Sequence, residues 1–137
     1  MKGDLEKAIL LTEELLSQSN IDYGAVGLRV LERFRRHIEP EHFPVLDGWV
    51  DYLDNWATTD NLCTKIISET VKKDPRLVER LLEWTGSGDR WRRRAAAVNL
   101  VPIARRGEML GDVFRVADRL MTDGDDMVQK GVGWMLK

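Results

Sequence analysis

A chain of 137 residues, 43% hydrophobic and 32% charged, carries enough apolar material for a folded core and too much for a disordered segment. Its 21 lysines and arginines against 23 acids leave a net charge of -2, which excludes a globally basic polyanion binder, so any such contact must be local. The single cysteine, Cys63, excludes an internal disulfide and has no basic activator nearby in sequence. His37 and His42 lack the i, i+4 spacing of a ligand pair and no Gly-rich phosphate loop occurs, so no metal, nucleotide or other cofactor is expected.

Apolar residues recur at steps of three and four almost throughout, and runs of alternating β-branched residues are missing, so the chain reads as all-α. The N-terminal "MKGDLEKAILLTEELL" mixes charges into its apolar residues, unlike a signal peptide or a membrane span, and points to a cytoplasmic protein. The first helix is "DLEKAILLTEELLSQS", with Asp4 as its N-cap. "YGAVGLRVLERFRRHI" follows the turn at Asn20 to Asp22, and "EPEHFPVLDGWVDYLD" starts at a proline suited to a first turn.

The fourth helix, "TTDNLCTKIISETVKK", ends before Asp74-Pro75, where the pre-proline restriction disfavours helix. "PRLVERLLEWT" stops at Gly86-Ser87-Gly88, and "DRWRRRAAAVNLVPIARR" runs to Gly107 with a kink expected from Pro102. "MLGDVFRVADRLMT" and "DDMVQKGVGWMLK" complete about eight helices in one domain, residues 1–137.

Tyr23, Asp60, Trp91 and Val128 sit early in the even-numbered helices, separated by 37, 31 and 37 residues. That spacing is close to the roughly 40-residue unit of HEAT-type repeats, in which stacked helical hairpins form a solenoid. In a solenoid the even-numbered helices share one layer, which would put Trp56, Asp60, the Trp91 to Arg94 run and Trp134 on a common face. Trp49 and Trp84 read as core.

Between Arg90 and Arg106 there are six arginines and no acid. Four of them, Arg90, Arg92, Arg93 and Arg94, crowd a helix N-terminus, where the dipole disfavours cations. The cluster calls for an anionic partner, either internal acids or a phosphate backbone. Aromatic residues between them, such as Trp91, could stack on bases. An aspartate repels phosphate, so Asp60 makes sense facing a cation: flanked by aromatic rings, it could stabilise the charge on a sugar as a glycosidic bond breaks, or position the attacking water. An alkylated purine, already cationic, suits so simple a site. A solvated arginine face, or an Asp60 that merely caps or pairs with an arginine of the sixth helix, is the plainer reading of the same residues.

"VDYLDNWATTDNLCTKII", "WRRRAAAVNLVPIARRG" and "DDMVQKGVGWMLK" resemble successive signatures of the AlkD-like DNA alkylation repair family, which is built from HEAT-like repeats. The resemblance runs from about Tyr23 to the C-terminus. It is most specific in the Trp-x-x-x-Asp spacing, the Trp-x-Arg-Arg-x-Ala helix opening and the Val-x-Lys-x-x-x-Trp-x-Leu ending. It implies a monofunctional DNA glycosylase, needing no cofactor, that removes 3-methyladenine and 7-methylguanine from duplex DNA held on a concave basic surface, without flipping the lesion into a pocket. Asp60 is then the catalytic carboxylate, Trp56 and Trp134 the aromatic walls against the lesion's deoxyribose, and Arg94, or in second place Arg93, the arginine that holds the DNA backbone beside it. Arg90, Trp91, Arg92, Arg93, Arg105, Arg106 and Lys130 are the implied DNA contacts. Relatives continue past both ends of this chain, so an array ending at Met135-Leu136 is expected to expose apolar surface or to pair with another subunit. The rival readings are a non-catalytic DNA-binding relative and a protein-binding scaffold with Trp56 and Trp134 as hot spots.

Overall fold

The computed structural model describes residues 2–137, and among the described residues there is helix and no strand. The α-helices are α1 (Lys2–Ser17), α2 (Ile21–Glu32), α3 (Phe43–Trp49), α4 (Trp56–Leu62), α5 (Ser68–Lys73), α6 (Val78–Trp84), α7 (Arg90–Val98), α8 (Val101–Arg105), α9 (Leu110–Leu120) and α10 (Asp126–Leu136). A π-turn over Cys63–Ile67 joins α4 to α5 without a break, and only two residues separate α7 from α8. Grouped this way they make eight units, the helical repeat array that the periodicity implies.

Capping moves several boundaries from the sequence expectation. Asn20 accepts from the amides of Asp22 and Tyr23, so α2 begins at Ile21, and Asn55 accepts from Thr58, so α4 begins at Trp56. Asp4 lies in the first turn of α1, so it is not the N-cap. The third segment is shorter than expected, with 3-10 turns at Pro40–His42 and Val50–Tyr52 on either side of α3. Pro102 does not kink a continuous helix: with no N–H to return to the preceding turn, it sits in the first turn of the separate helix α8.

Helices α2, α4, α7 and α10 pack side by side in that order, α1 packs on α2, and α6 and α9 cover α7. The even-numbered repeat units therefore do share one layer. At Gly27 a Cβ would lie 3.1 Å from the Cα of Thr12, whose hydroxyl donates to the carbonyls of Ala8 and Gly27; only glycine allows α1 and α2 this close. A continuous core runs from Leu5 to Met135 and includes Trp49 and Trp84 as expected; Trp84 stacks on Phe43 at 5.7 Å, and the Trp49 indole donates to Glu13. Met135 is buried against expectation, whereas Leu136 is exposed, as are Leu110, Phe114 and Met121 nearby. Among the described residues no helix is long and apolar enough to cross a membrane.

Because the Asn55 side chain caps the first turn of α4 by accepting from the Thr58 amide, Asn55→Ala should destabilise the fold by about 1 kcal/mol in urea titration, while Asn55→Ser should cost less. A cost indistinguishable from zero for alanine would show that the cap does not hold Trp56 and Asp60 in place.

Candidate active site

Asp60 lies one turn into α4, and the arginine that meets it is Arg94 of α7. The Arg94 fork closes on the carboxylate side-on, Nε to Oδ1 at 3.0 Å and Nη2 to Oδ2 at 2.9 Å, and its third nitrogen, Nη1, donates to the Met127 carbonyl of α10 at 2.6 Å. The side chains are only 7% (Arg94) and 14% (Asp60) exposed, so both charges are largely withdrawn from water and each is the other's chief compensation. One pair of side chains thus ties α4, α7 and α10 together.

Space for Arg94 depends on a glycine. A Cβ on Gly131 would stand 3.1 Å from Cγ of Arg94 and 3.4 Å from Cγ2 of Val98. The fully buried Ala95, Ala96 and Ala97 keep the facing side of α7 equally low. Met127, Gly131 and Trp134 follow at i, i+4 and i+7 on α10, so Trp134 lies on the same stripe as the two residues that touch Arg94, half-buried against the core. Trp56, one turn before Asp60 on α4, is 58% exposed. Asp60 is thus a fixed carboxylate on a stripe of α4 with one open indole, and Trp134 lies half-buried on the stripe of α10 that faces Arg94 of α7.

The backbone beneath Asp60 is also specialised. The π-turn inserts one residue into the helix, and the hydroxyls of Thr64 and Ser68 donate to the carbonyls of Asp60 and Thr64, at 2.7 Å and 2.8 Å, where the ladder is disturbed. Its extra residue turns Ile66, Ile67 and Val71 into the core and rotates Glu69 and Lys72 toward the same side as Thr64. Cys63, directly under the carboxylate, is fully buried, and burial first, with the nearby Asp60 charge, pushes its thiol far above the usual range. It is an inert neutral packing group beside Asn99, whose Oδ1 has no hydrogen-bond partner among the described residues.

The other arginines of the cluster find internal acids, one of the two partners that the sequence left open. Arg90 pairs with Asp125 at 2.8 Å and covers the Trp91 ring; Arg93 pairs with Asp123 at 2.7 Å and donates to the Ser87 carbonyl. Arg92 holds both Asp47 and Asp51 and lies over Trp84. Arg92 and Arg93 are only 14% and 20% exposed, so their forks present little to a phosphate. Sequence spacing could not reveal these partners, 30 to 45 residues away. Lys130 forms an exposed i, i+4 pair with Asp126, while Arg105 and Arg106 are exposed at the end of α8. Among the described residues no group of three His, Cys, Asp or Glu could hold a metal ion.

Across residues 1–137, the whole chain, the sequence matches the family model described as DNA alkylation repair enzyme. The chain belongs to that family. No curated protein matches the chain. The family description gives an enzyme of DNA alkylation repair and DNA as its partner.

Two measurements test the packing of this site. Gly131→Ala should lower stability by about 1–3 kcal/mol by crowding the Arg94 stem, and unchanged unfolding would mean that the contact is slack. Cys63 should resist iodoacetamide at pH 8 in the folded protein and react once urea unfolds it; rapid labelling of the native chain would contradict its burial.

Proposed function

We propose that the protein is a DNA glycosylase that excises cationic alkylated purines, 3-methyladenine and 7-methylguanine, from duplex DNA. The observation that supports this reading best is the Asp60 carboxylate: each oxygen is held by one Arg94 nitrogen, each keeps a lone pair in reserve, and an exposed indole lies one helical turn away.

In the proposed reaction the bond between C1′ and the purine nitrogen breaks, and its electron pair leaves with the base. An alkylated purine begins with a positive charge and departs neutral, so no general acid is required. The positive charge passes to the deoxyribose, where Asp60 stabilises it electrostatically from a largely desolvated position. Water then adds to C1′, oriented by a free lone pair of the carboxylate, which receives the proton as the hydroxyl forms. Trp56 and Trp134 supply aromatic faces to the sugar cation. Arg94 acts as a positioning residue: with both its pairing nitrogens on Asp60 and a third on the Met127 carbonyl, it fixes the direction of the carboxylate.

A second reading is favoured by one observation, the internal pairing of the arginine cluster: a protein-binding scaffold that uses the open face of Trp56 as an anchor. Base release distinguishes the two. In single-turnover assays on duplex DNA containing 7-methylguanine, Asp60→Asn should slow release by about 100- to 1000-fold while leaving duplex affinity within a few fold. Release by the variant at the wild-type rate would refute the assignment of Asp60, and absence of both release and duplex binding in the wild type would favour the scaffold.

A further inference from the structure

A group of cations lies at the opposite ends of the inner helices from the arginine cluster. A groove of about 490 Å³ is lined by Arg35 and Arg36, which follow α2, by Thr64, Glu69, Lys72 and Lys73 of the π-turn and α5, and by Pro102 and Arg106 of α8 and its end. Lys72 is paired with Glu69 at 3.2 Å, and Lys73 is occupied by Glu39 and by the carbonyls of Arg36 and Ile38. Among the described residues no carboxylate or carbonyl pairs with the side chains of Arg35, Arg36 or Arg106, all of which are exposed. Five cations face Glu69 and Glu39, so the groove carries a surplus of positive charge on a chain whose net charge is -2.

Helix dipoles favour a cation or two at each C-terminus, which explains Lys72, Lys73 and Arg105. They do not explain why guanidiniums from two separate segments converge, unpaired, on one groove. The groove and Asp60 share one helical run. Thr64, which lines it, donates to the Asp60 carbonyl, and the π-turn sets Glu69 and Lys72 in line behind Thr64. At a rise of about 1.5 Å per residue, Lys72 lies roughly 18 Å along the helix from Asp60.

We infer that this groove, through Arg35, Arg36 and Arg106, binds the sugar-phosphate backbone of duplex DNA about five nucleotides from the nucleotide at Asp60. The inference rests on the glycosylase reading for the position of the reacting nucleotide. The distance follows from the helix rise and a phosphate spacing of about 3.4 Å per strand. Phosphate recognition here comes from guanidinium forks, which suit the diester oxygens in a way that the occupied lysines do not.

The test uses duplexes with a central 7-methylguanine, either long on both sides or cut to about three base pairs on one side or the other, with binding read by fluorescence anisotropy at two salt concentrations. The proteins are the wild type, the triple variant Arg35→Ala, Arg36→Ala, Arg106→Ala, and the corresponding triple lysine variant, with circular dichroism confirming the fold of each. The triple alanine variant should bind the long duplex about 10- to 100-fold more weakly, with a salt slope shallower by about 2–3, and the lysine variant should recover part of the slope. Shortening one side should weaken the wild type but not the alanine variant. An unchanged salt slope, or equal sensitivity to shortening in both proteins, overturns the groove assignment even if wild-type base release is intact. Groove-dependent binding without base release supports the groove and overturns the glycosylase reading, and a wild type that binds no duplex overturns both.

Discussion

The pairing of Arg94 with Asp60 is the constraint around which the inner layer is arranged. Two opposite charges, each largely removed from water, hold together only while their geometry is good, and losing either leaves the other buried at a cost of about 3–5 kcal/mol. That geometry demands a glycine at position 131 to clear the arginine stem, the Met127 carbonyl to take its third nitrogen, and the alanine run of α7 to bring α10 close. Such a pair contributes little net stability compared with well-packed apolar residues. On the proposed reading, what the pair supplies is a rigidly aimed carboxylate.

The same economy of charge governs the rest of the layer. At the start of α7 four arginines stand where the helix dipole opposes them, and every one meets an internal carboxylate: Asp125, Asp47 and Asp51, Asp123 and Asp60. Asp125 serves twice, accepting from Arg90 while capping α10, and both contacts hold its carboxyl below the usual carboxylate range, Arg90 contributing most. What reads in sequence as a basic patch is in the fold a set of clasps between repeats. Among the described residues, Arg106 at the end of α8 and Arg35 and Arg36 just beyond α2 have no such internal carboxylate.

Periodicity made the helices and their alternation into layers legible, because the stripes of leucine, isoleucine and valine are the residues that the core buries. Boundaries at Asn20 and Asn55 were less legible, since an asparagine reads equally well as a turn or as a cap until its side chain is seen to accept an amide. The π-turn left no sequence signal beyond Thr64 and Ser68, whose hydroxyls compensate carbonyls that the inserted residue disturbs. Arg93 and Arg94 differ by one position, about 100° around the helix, and the buried face that continues into Ala95 to Val98 turns Arg94 inward to Asp60 and leaves Arg93 to Asp123. Spacing put Trp56 and Asp60 on one stripe, but the acids that neutralise the arginine cluster come from other helices, where no local pattern could announce them.

A double-mutant cycle on single-turnover base release, with Asp60→Asn, Arg94→Met and both together, tests most directly whether the pair acts as one unit. If Arg94 serves the chemistry by aiming the Asp60 carboxylate, then removing it after Asp60 is already gone should cost little, giving a coupling of about 1–3 kcal/mol between the two losses. Losses that simply multiply, each residue costing the same with or without the other, would contradict the account.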